Sequence, residues 1–317
     1  MIRIMRKEKF IKGGRLHGAE LRHEIWKQKY IYLFILPALI YFCIFTFTPY
    51  FGLLIAFQDF KIFSGVFNSP FVGLKHFQTF FGSKNFSLLL RNTLWISVLR
   101  LLFSFPLPII FALLLNEVRH YKYKRIVQTV TYFPNFLSWV VFAGIITTLI
   151  RPTGIINKIF ISMGMDAPNI QTNTKYFVPM LIVTDSLKGF GFGAIVYLAA
   201  LSGVDAQLYE AAIIDGARRM RQTWHITLPG IRPTIVIMLI MALGGIMNAG
   251  FDQIFNLYNA SVYEVADIID TYVFRIGYMQ AQYSLGTAVG LFKSLIGLIL
   301  IVTANTIIRK TGEASIW

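Results

Sequence analysis

The chain has 317 residues, 56% of them hydrophobic and only 14% charged, with a formal net charge of +15. That much apolar surface exceeds what a soluble core can bury and makes a bilayer the expected solvent. Nucleic acid is excluded as the reason for the positive charge, because Lys and Arg flank the ends of apolar runs instead of gathering on one face among stacking aromatics. Cys43 is the only cysteine, which leaves no disulfide framework and no cysteine-based metal site.

Residues 1–30 are basic, with Leu21, Ile25 and Trp26 at helical spacing. They read either as a short interfacial helix against anionic headgroups or as an unstructured positive tail. So long a polar stretch does not open a cleavable signal, and the first span is expected to stay in the mature protein. Runs of about twenty apolar residues, the length a bilayer requires, predict six spans at 31–57, 93–115, 126–150, 177–201, 234–255 and 284–308. Residues 31–308 then form one membrane domain, with a loop at 202–233 and a tail at 309–317.

In span two, Pro106 and Pro108 predict a bend, and Arg100 lies near enough to the outer interface to snorkel. Span four carries Asp185 and Lys188, about 12 and 17 Å from its start at ~1.5 Å per residue. At spacing i, i+3 they share a face, where they either pair or line a polar cavity. Phe192 and Tyr197 follow as aromatic candidates for the same pathway. The run Gly189-Phe190-Gly191-Phe192-Gly193 has no preceding strand and is no dinucleotide fingerprint. Asn248 and Asp252 fall in the outer half of span five, and Lys293 lies about 14 Å into span six. Gly286, Gly290 and Ser294 make a small-residue stripe suited to close helix packing.

Charge sets the expected orientation. Nineteen of the thirty Lys and Arg fall in the N-tail, the 116–125 loop, the 202–233 loop and the C-tail. The positive-inside rule therefore puts those segments, and both termini, in the cytoplasm.

One polar segment is patterned. Asp205 is placed to cap a helix starting near Ala206, and Gly216 offers the left-handed residue that ends it. A second helix is expected from Arg218 to Thr227, stopping before Pro229. Glu210 presents a carboxylate, small Ala211 and Ala212 allow close approach, and Met220 and Trp224 share one face as apolar anchors. The plain alternative is an amphipathic connector lying on the membrane.

Glu210-Ala211-Ala212, Asp215-Gly216-Ala217, Ile226, Leu228-Pro229 and Pro233 resemble, in register, the EAA loop of ABC importer permeases. Phe71-Val72-Gly73-Leu74, Arg91-Asn92-Thr93-Leu94, Tyr132-Phe133-Pro134, Gly154-Ile155-Ile156-Asn157 and Tyr197-Leu198-Ala199-Ala200-Leu201 are similar to landmarks of its carbohydrate branch, which includes maltose and glycerol-phosphate permeases. The likeness covers roughly residues 30–310 and looks closest to permeases for oligo- and polysaccharides. It implies an all-α membrane protein with the six-helix type I importer permease (MetI-like) fold, in a bacterial cell membrane.

It further implies a second homologous permease subunit, two ATPase subunits gripping the coupling loops, an extracellular solute-binding protein and a carbohydrate cargo. Glu210, Ala211, Ala212, Asp215, Gly216, Ala217, Met220, Trp224, Leu228 and Pro229 would form the ATPase-coupling surface. Asp185, Lys188, Phe192, Tyr197, Asn248, Asp252 and Lys293 are the pathway candidates. No phosphate-binding Gly-x4-Gly-Lys-Ser/Thr loop is present, since Lys293-Ser294 follows Phe292 inside an apolar run. ATP and Mg are therefore expected on partner subunits, with no cofactor in this chain. One departure is Leu187, where many members of that family carry Trp before the Lys; it leaves the cargo open. An ion- or proton-coupled secondary transporter is the alternative, although no internal repeat is visible.

Overall fold

The structure is a computed structural model that describes residues 26–310; most of the basic tail, with its candidate interfacial helix, and residues 311–317 lie outside the described residues. The chain divides into two compact units, residues 1–54 with 61–68, and residues 55–60 with 69–317. In the first, α1 (Lys29–Tyr41) runs on through a π-helical turn, Phe42–Phe47, into a 3-10 stretch, Thr48–Phe57. Its large apolar side chains are exposed from Tyr30 to Leu54, which is unfavourable in water and costs nothing in hydrocarbon.

Six helical segments are long and apolar enough to cross a membrane, namely Lys29–Phe57, Asn85–Asn116, Trp139–Ser162, Thr174–Ser202, Arg219–Gly244 and Tyr283–Lys310. No strand occurs among the described residues, only an isolated bridge between Gln58 and Phe71. In the second unit, α2 (Lys75–Phe81) leads into α3 (Asn85–Leu99). The second crossing continues through a π turn, Arg100–Ser104, into α4 (Pro106–Asn116). The wide turn falls just ahead of Pro106, whose missing N–H opens the helical ladder at the preceding turn.

Expectations for the third and fifth spans need correction. Residues 126–150 are two helices, α5 (Tyr121–Phe136) and α6 (Trp139–Ile150), separated at Leu137 and Ser138, both extended. Pro134 sits in the last turn of α5, and Ser138 Oγ accepts the Val141 N–H at 3.3 Å to restart the chain as α6. After α7 (Ile155–Ser162), the long α8 (Thr174–Ser202) matches the predicted fourth span closely. α9 (Ala206–Ile214) and α10 (Arg219–Gln222) follow, then a π turn, Thr223–Thr227, and α11 (Leu228–Gly244).

The fifth crossing thus begins about fifteen residues before 234, and Pro229 does not stop it. Proline is tolerated in a first turn, and the wide turn just before it absorbs the freed carbonyls. The crossing ends at Gly244, so 246–257 are not its continuation. A 3-10 turn, Ile246–Asn248, and left-handed Gly250 (φ +83°) lead to a separate α12 (Phe251–Leu257). Short α13 (Tyr263–Ala266) and α14 (Ile269–Val273) precede α15 (Tyr283–Lys310), the last crossing.

α8 is the hub of this unit, packed along α4 and α5 and touching α11. One apolar cluster joins Phe142 and Ile146 of α6 to Phe177 and Leu181 of α8 and Ile254 of α12. A second joins Ile109, Ala112, Tyr197 and Ile231. Tyr197 is therefore a core residue and not a pathway aromatic. Gly191 lies against the Thr131 backbone, where a side chain would collide, so part of the glycine run serves helix packing. In the small-residue stripe, Gly286 meets Gly277 at backbone distance, whereas Gly290 faces open space.

Lys293 is paired within the fold. Its Nζ lies 2.6 and 2.7 Å from the carboxylate oxygens of Asp270, which closes a pair between α14 and α15. Nearby, Arg275 forms a two-contact pair with Asp267, 3.1 and 2.5 Å, which holds the guanidinium above its ordinary pKa. Buried Asn92 donates to the carbonyls of Glu264 and Asp267, anchoring the α13 segment to α3.

Candidate functional site

Two places in the second unit combine polar chemistry with exposure. The first is a cavity of about 520 Å³ at the break between α5 and α6, walled also by α8 and α12. Ending α5 at Phe136 leaves carbonyls with no helical partner. The Lys188 ammonium donates to three of them: Pro134 at 3.2 Å, Asn135 at 3.0 Å and Leu137 at 2.7 Å. A cation at a helix C-terminus also opposes the macrodipole. The same nitrogen stands 5.4 Å over the Trp139 ring and 5.9 Å over that of Phe142, a cation–π placement. Lys188 thus lines the cavity and holds its broken wall in shape.

Lys188 does not pair with Asp185. Asp185 instead lies 3.4 Å from Arg100 Nη1, across to the π turn of the second crossing. Arg100 also donates through Nη2 to Gln253 Oε1. Gln253, with no exposed surface, donates in turn to Leu181 O and Thr184 Oγ1, both at 2.7 Å. Ser104 and Ser186 hydroxyls meet at 2.9 Å. The second crossing, α8 and α12 are joined by this polar chain, so Arg100 does not snorkel to an interface. It lies about fifteen residues, ~22 Å, along a helix that begins at Asn85 and not near 93.

Of the sequence-predicted pathway residues, the cavity brings together Asp185, Lys188 and Asp252, and it adds Asn135, Trp139 and Asn256. Phe192 is half-exposed and meets Phe136 edge-on at 5.9 Å, outside the cavity lining. Asn248 belongs to a different pocket, of about 220 Å³, with Ser97 and Arg100. Trp139 was not anticipated; its one signal was a Ser before a long apolar run, a helix start inside what reads as a single span. The cavity offers carboxylate and amide acceptors, amide and ammonium donors and an indole face. Such a set suits a ligand with many hydroxyls and some apolar face.

The second place is the loop at 205–229. Asp205 caps α9, accepting the Gln207 N–H at 2.9 Å, as expected. Gly216 has φ +74°, and the Ala217 N–H returns to Ala212 O at 2.8 Å, so the helix ends in a left-handed turn that glycine adopts freely. Tyr209 and Thr227 hydroxyls meet at 3.0 Å, tying α9 to the start of the fifth crossing. Arg219 pairs with Glu117 at 3.2 Å, tying it to the end of the second.

Glu210, Ala211 and Asp215 are exposed. So are Ile214 (87%), Met220 (71%) and Trp224 (64%), large apolar side chains bare beside a polar face. Leu228 and Pro229 belong to the crossing that follows. The loop is thus hydrogen-bonded to both the second and the fifth crossings.

Residues 104–311 match the model of the family described as binding-protein-dependent transport system inner membrane component. The chain is 46% identical to the polygalacturonan/rhamnogalacturonan transport system permease protein YteP of Bacillus subtilis (strain 168), over 92% of this chain and 91% of the relative. Among solved structures it is similar to a chain of a bacterial ABC transporter involved in import of the acidic polysaccharide alginate. The TM-score is 0.86 at 39% identity, covering 92% of this chain and 99% of that one. A second structure of the alginate transporter, in complex with an alginate pentasaccharide-bound periplasmic protein, matches with TM-score 0.86 at 38% identity, over 93% and 99% of the two chains.

Proposed function

We propose that this chain, which belongs to the family of binding-protein-dependent transport system inner membrane components, carries an acidic oligosaccharide across the membrane after an external binding protein delivers it. The chain is a multi-pass permease of an ABC importer, a transport subunit and not the ATPase. The observation that carries the cargo reading is the likeness over nearly the whole of both chains to a permease named for polygalacturonan and rhamnogalacturonan. The cavity is compatible in kind, with Trp139 for a ring face, Asp185, Asp252 and Asn256 for hydroxyls, and Lys188 and Arg100 as the nearby cations.

In this reading a second permease subunit completes the pathway, and two ATPase subunits hold ATP and Mg. Each grips a loop like that at 205–229, on the cytoplasmic face to which the positive charges assign it. ATP-driven closure of the ATPases moves the loops together and opens the cavity outward to the binding protein; hydrolysis resets it. The crossings attached to the loop, second and fifth, move first.

The test is uptake by the assembled transporter across a panel of matched oligosaccharides, acidic and neutral, each presented by the cognate binding protein. Short oligogalacturonides are expected to be taken up in preference to neutral glycans of equal length. Preference for a neutral glycan would overturn the cargo reading while leaving the importer class intact.

A further inference from the structure

Among the described residues only four buried side-chain atoms lack a hydrogen-bond partner, and two of them, Ser97 Oγ and Arg100 Nε, belong to residues lining one pocket. A buried polar atom without a partner is costly, so two beside one cavity point to a ligand that satisfies both. The pocket measures about 220 Å³ and is lined also by Gly245, Ile246, Asn248 and Ala249 from the stretch after the fifth crossing. It is separate from the larger cavity, and Arg100 stands between the two, since its Nη1 faces Asp185 of the larger one.

From this geometry we infer that Ser97, Arg100 and Asn248 form a carboxylate-binding subsite, in which Arg100 distinguishes acidic from neutral cargo. The inference rests on the acidic-oligosaccharide reading above. Guanidinium is a planar fork whose strongest partner is a carboxylate held by two parallel N–H donors. Arg100 makes no such contact. Its ion pair with Asp185 is a single 3.4 Å approach, and its other side-chain partner is the neutral Gln253 amide.

The Nε N–H is therefore an unused donor on a permanent cation, and the Ser97 hydroxyl is a second donor on a residue lining the same pocket. Gly250 keeps the guanidinium in place: the group lies where a Cβ at that position would stand. Water would fit such a pocket, but it would leave the charge without a full counterpart.

The test uses the assembled transporter in proteoliposomes, with this chain as wild type, Arg100→Lys or Ser97→Ala. Trigalacturonate and its methyl ester compete for uptake in one reaction. Arg100→Lys keeps a cation opposite Asp185 but loses the fork, and is expected to lower the acid-to-ester uptake ratio about tenfold, the loss of one charge-assisted hydrogen bond. Ser97→Ala is expected to lower it several-fold, a neutral donor contributing less. A wild type that prefers the acid, with variants in which both rates fall together at an unchanged ratio, would show that Arg100 only positions helices and would overturn the subsite alone. A wild type with no preference for the acid would overturn the cargo reading, and the subsite with it.

Discussion

Trp224→Ala is expected to weaken association of this chain with its ATPase partner by roughly 30-fold or more, the ~2 kcal/mol typical of a central aromatic anchor. The fold itself should be indifferent to the change, because the ring is 64% exposed and the loop's other large apolar side chains, Met220 and Ile214, are bare as well. Copurification of the ATPase and the melting temperature of the isolated chain separate the two effects. Gly216→Val acts on the same surface by another route. A β-branched residue at φ +74° is strained, so the turn would reset and swing Glu210 and the α9 face away from the α10 face. Loss of copurification with an unchanged melting temperature is the predicted pattern for Trp224→Ala; a melting temperature that drops in step with association would mean that the tryptophan serves the fold.

Lys188→Met is the second large effect. The substitution nearly preserves volume but removes the donor from three carbonyls at the end of α5. Hydrogen bonds to a charged group are worth about 1.5–3 kcal/mol each and do not add fully, so a net cost of about 2–4 kcal/mol is expected. That corresponds to a fall in melting temperature of roughly 5–15 °C. The break between α5 and α6 would then lose its shape, and with it the Trp139 wall of the cavity. Lys188→Arg is expected to recover only part of the loss, since a compact ammonium reaches three converging carbonyls and a planar fork does not. Unchanged stability and uptake in Lys188→Met would remove the break from the account.

Much of the architecture was legible because hydrophobic length is a coarse signal that survives local error. The α8 and α15 crossings were placed within a few residues, and in the loop the helix start at Asp205 and the turn at Gly216 follow from side-chain chemistry alone. The break at Leu137-Ser138 was not legible from hydropathy, since an average over twenty residues runs straight across a two-residue interruption. Its signals, Pro134 and a capping Ser138, are local and lie inside one apolar run. The fifth crossing departs from the hydropathy window for a related reason. Polar residues 219–227 are helical and continue into the crossing, whereas apolar 246–257 are not part of it.

Side-chain partners were the least legible. Asp185 and Lys188 share a helix face by spacing, yet each finds a better partner on another helix, Arg100 and the α5 carbonyls. Lys293 meets Asp270, 23 residues away in sequence, across a helix pair that no periodicity announces. Charges inside a bilayer must be matched, and that requirement was readable; which charge matches which depends on tertiary packing. Tyr197 illustrates the converse, an aromatic with a polar hydroxyl that packing against Ile109, Ala112 and Ile231 turns into the core.

The central claim is that energy enters through the 205–229 loop as ATP hydrolysis by a partner, and that cargo enters from the opposite face on a binding protein. Proteoliposomes containing the assembled transporter test it directly, with labelled oligogalacturonide and its binding protein on one side and Mg-ATP confined to the side bearing the loop. Uptake is expected only when both are present, to stop when either is removed, and to be indifferent to an imposed proton gradient. Accumulation driven by the gradient without ATP would contradict the account.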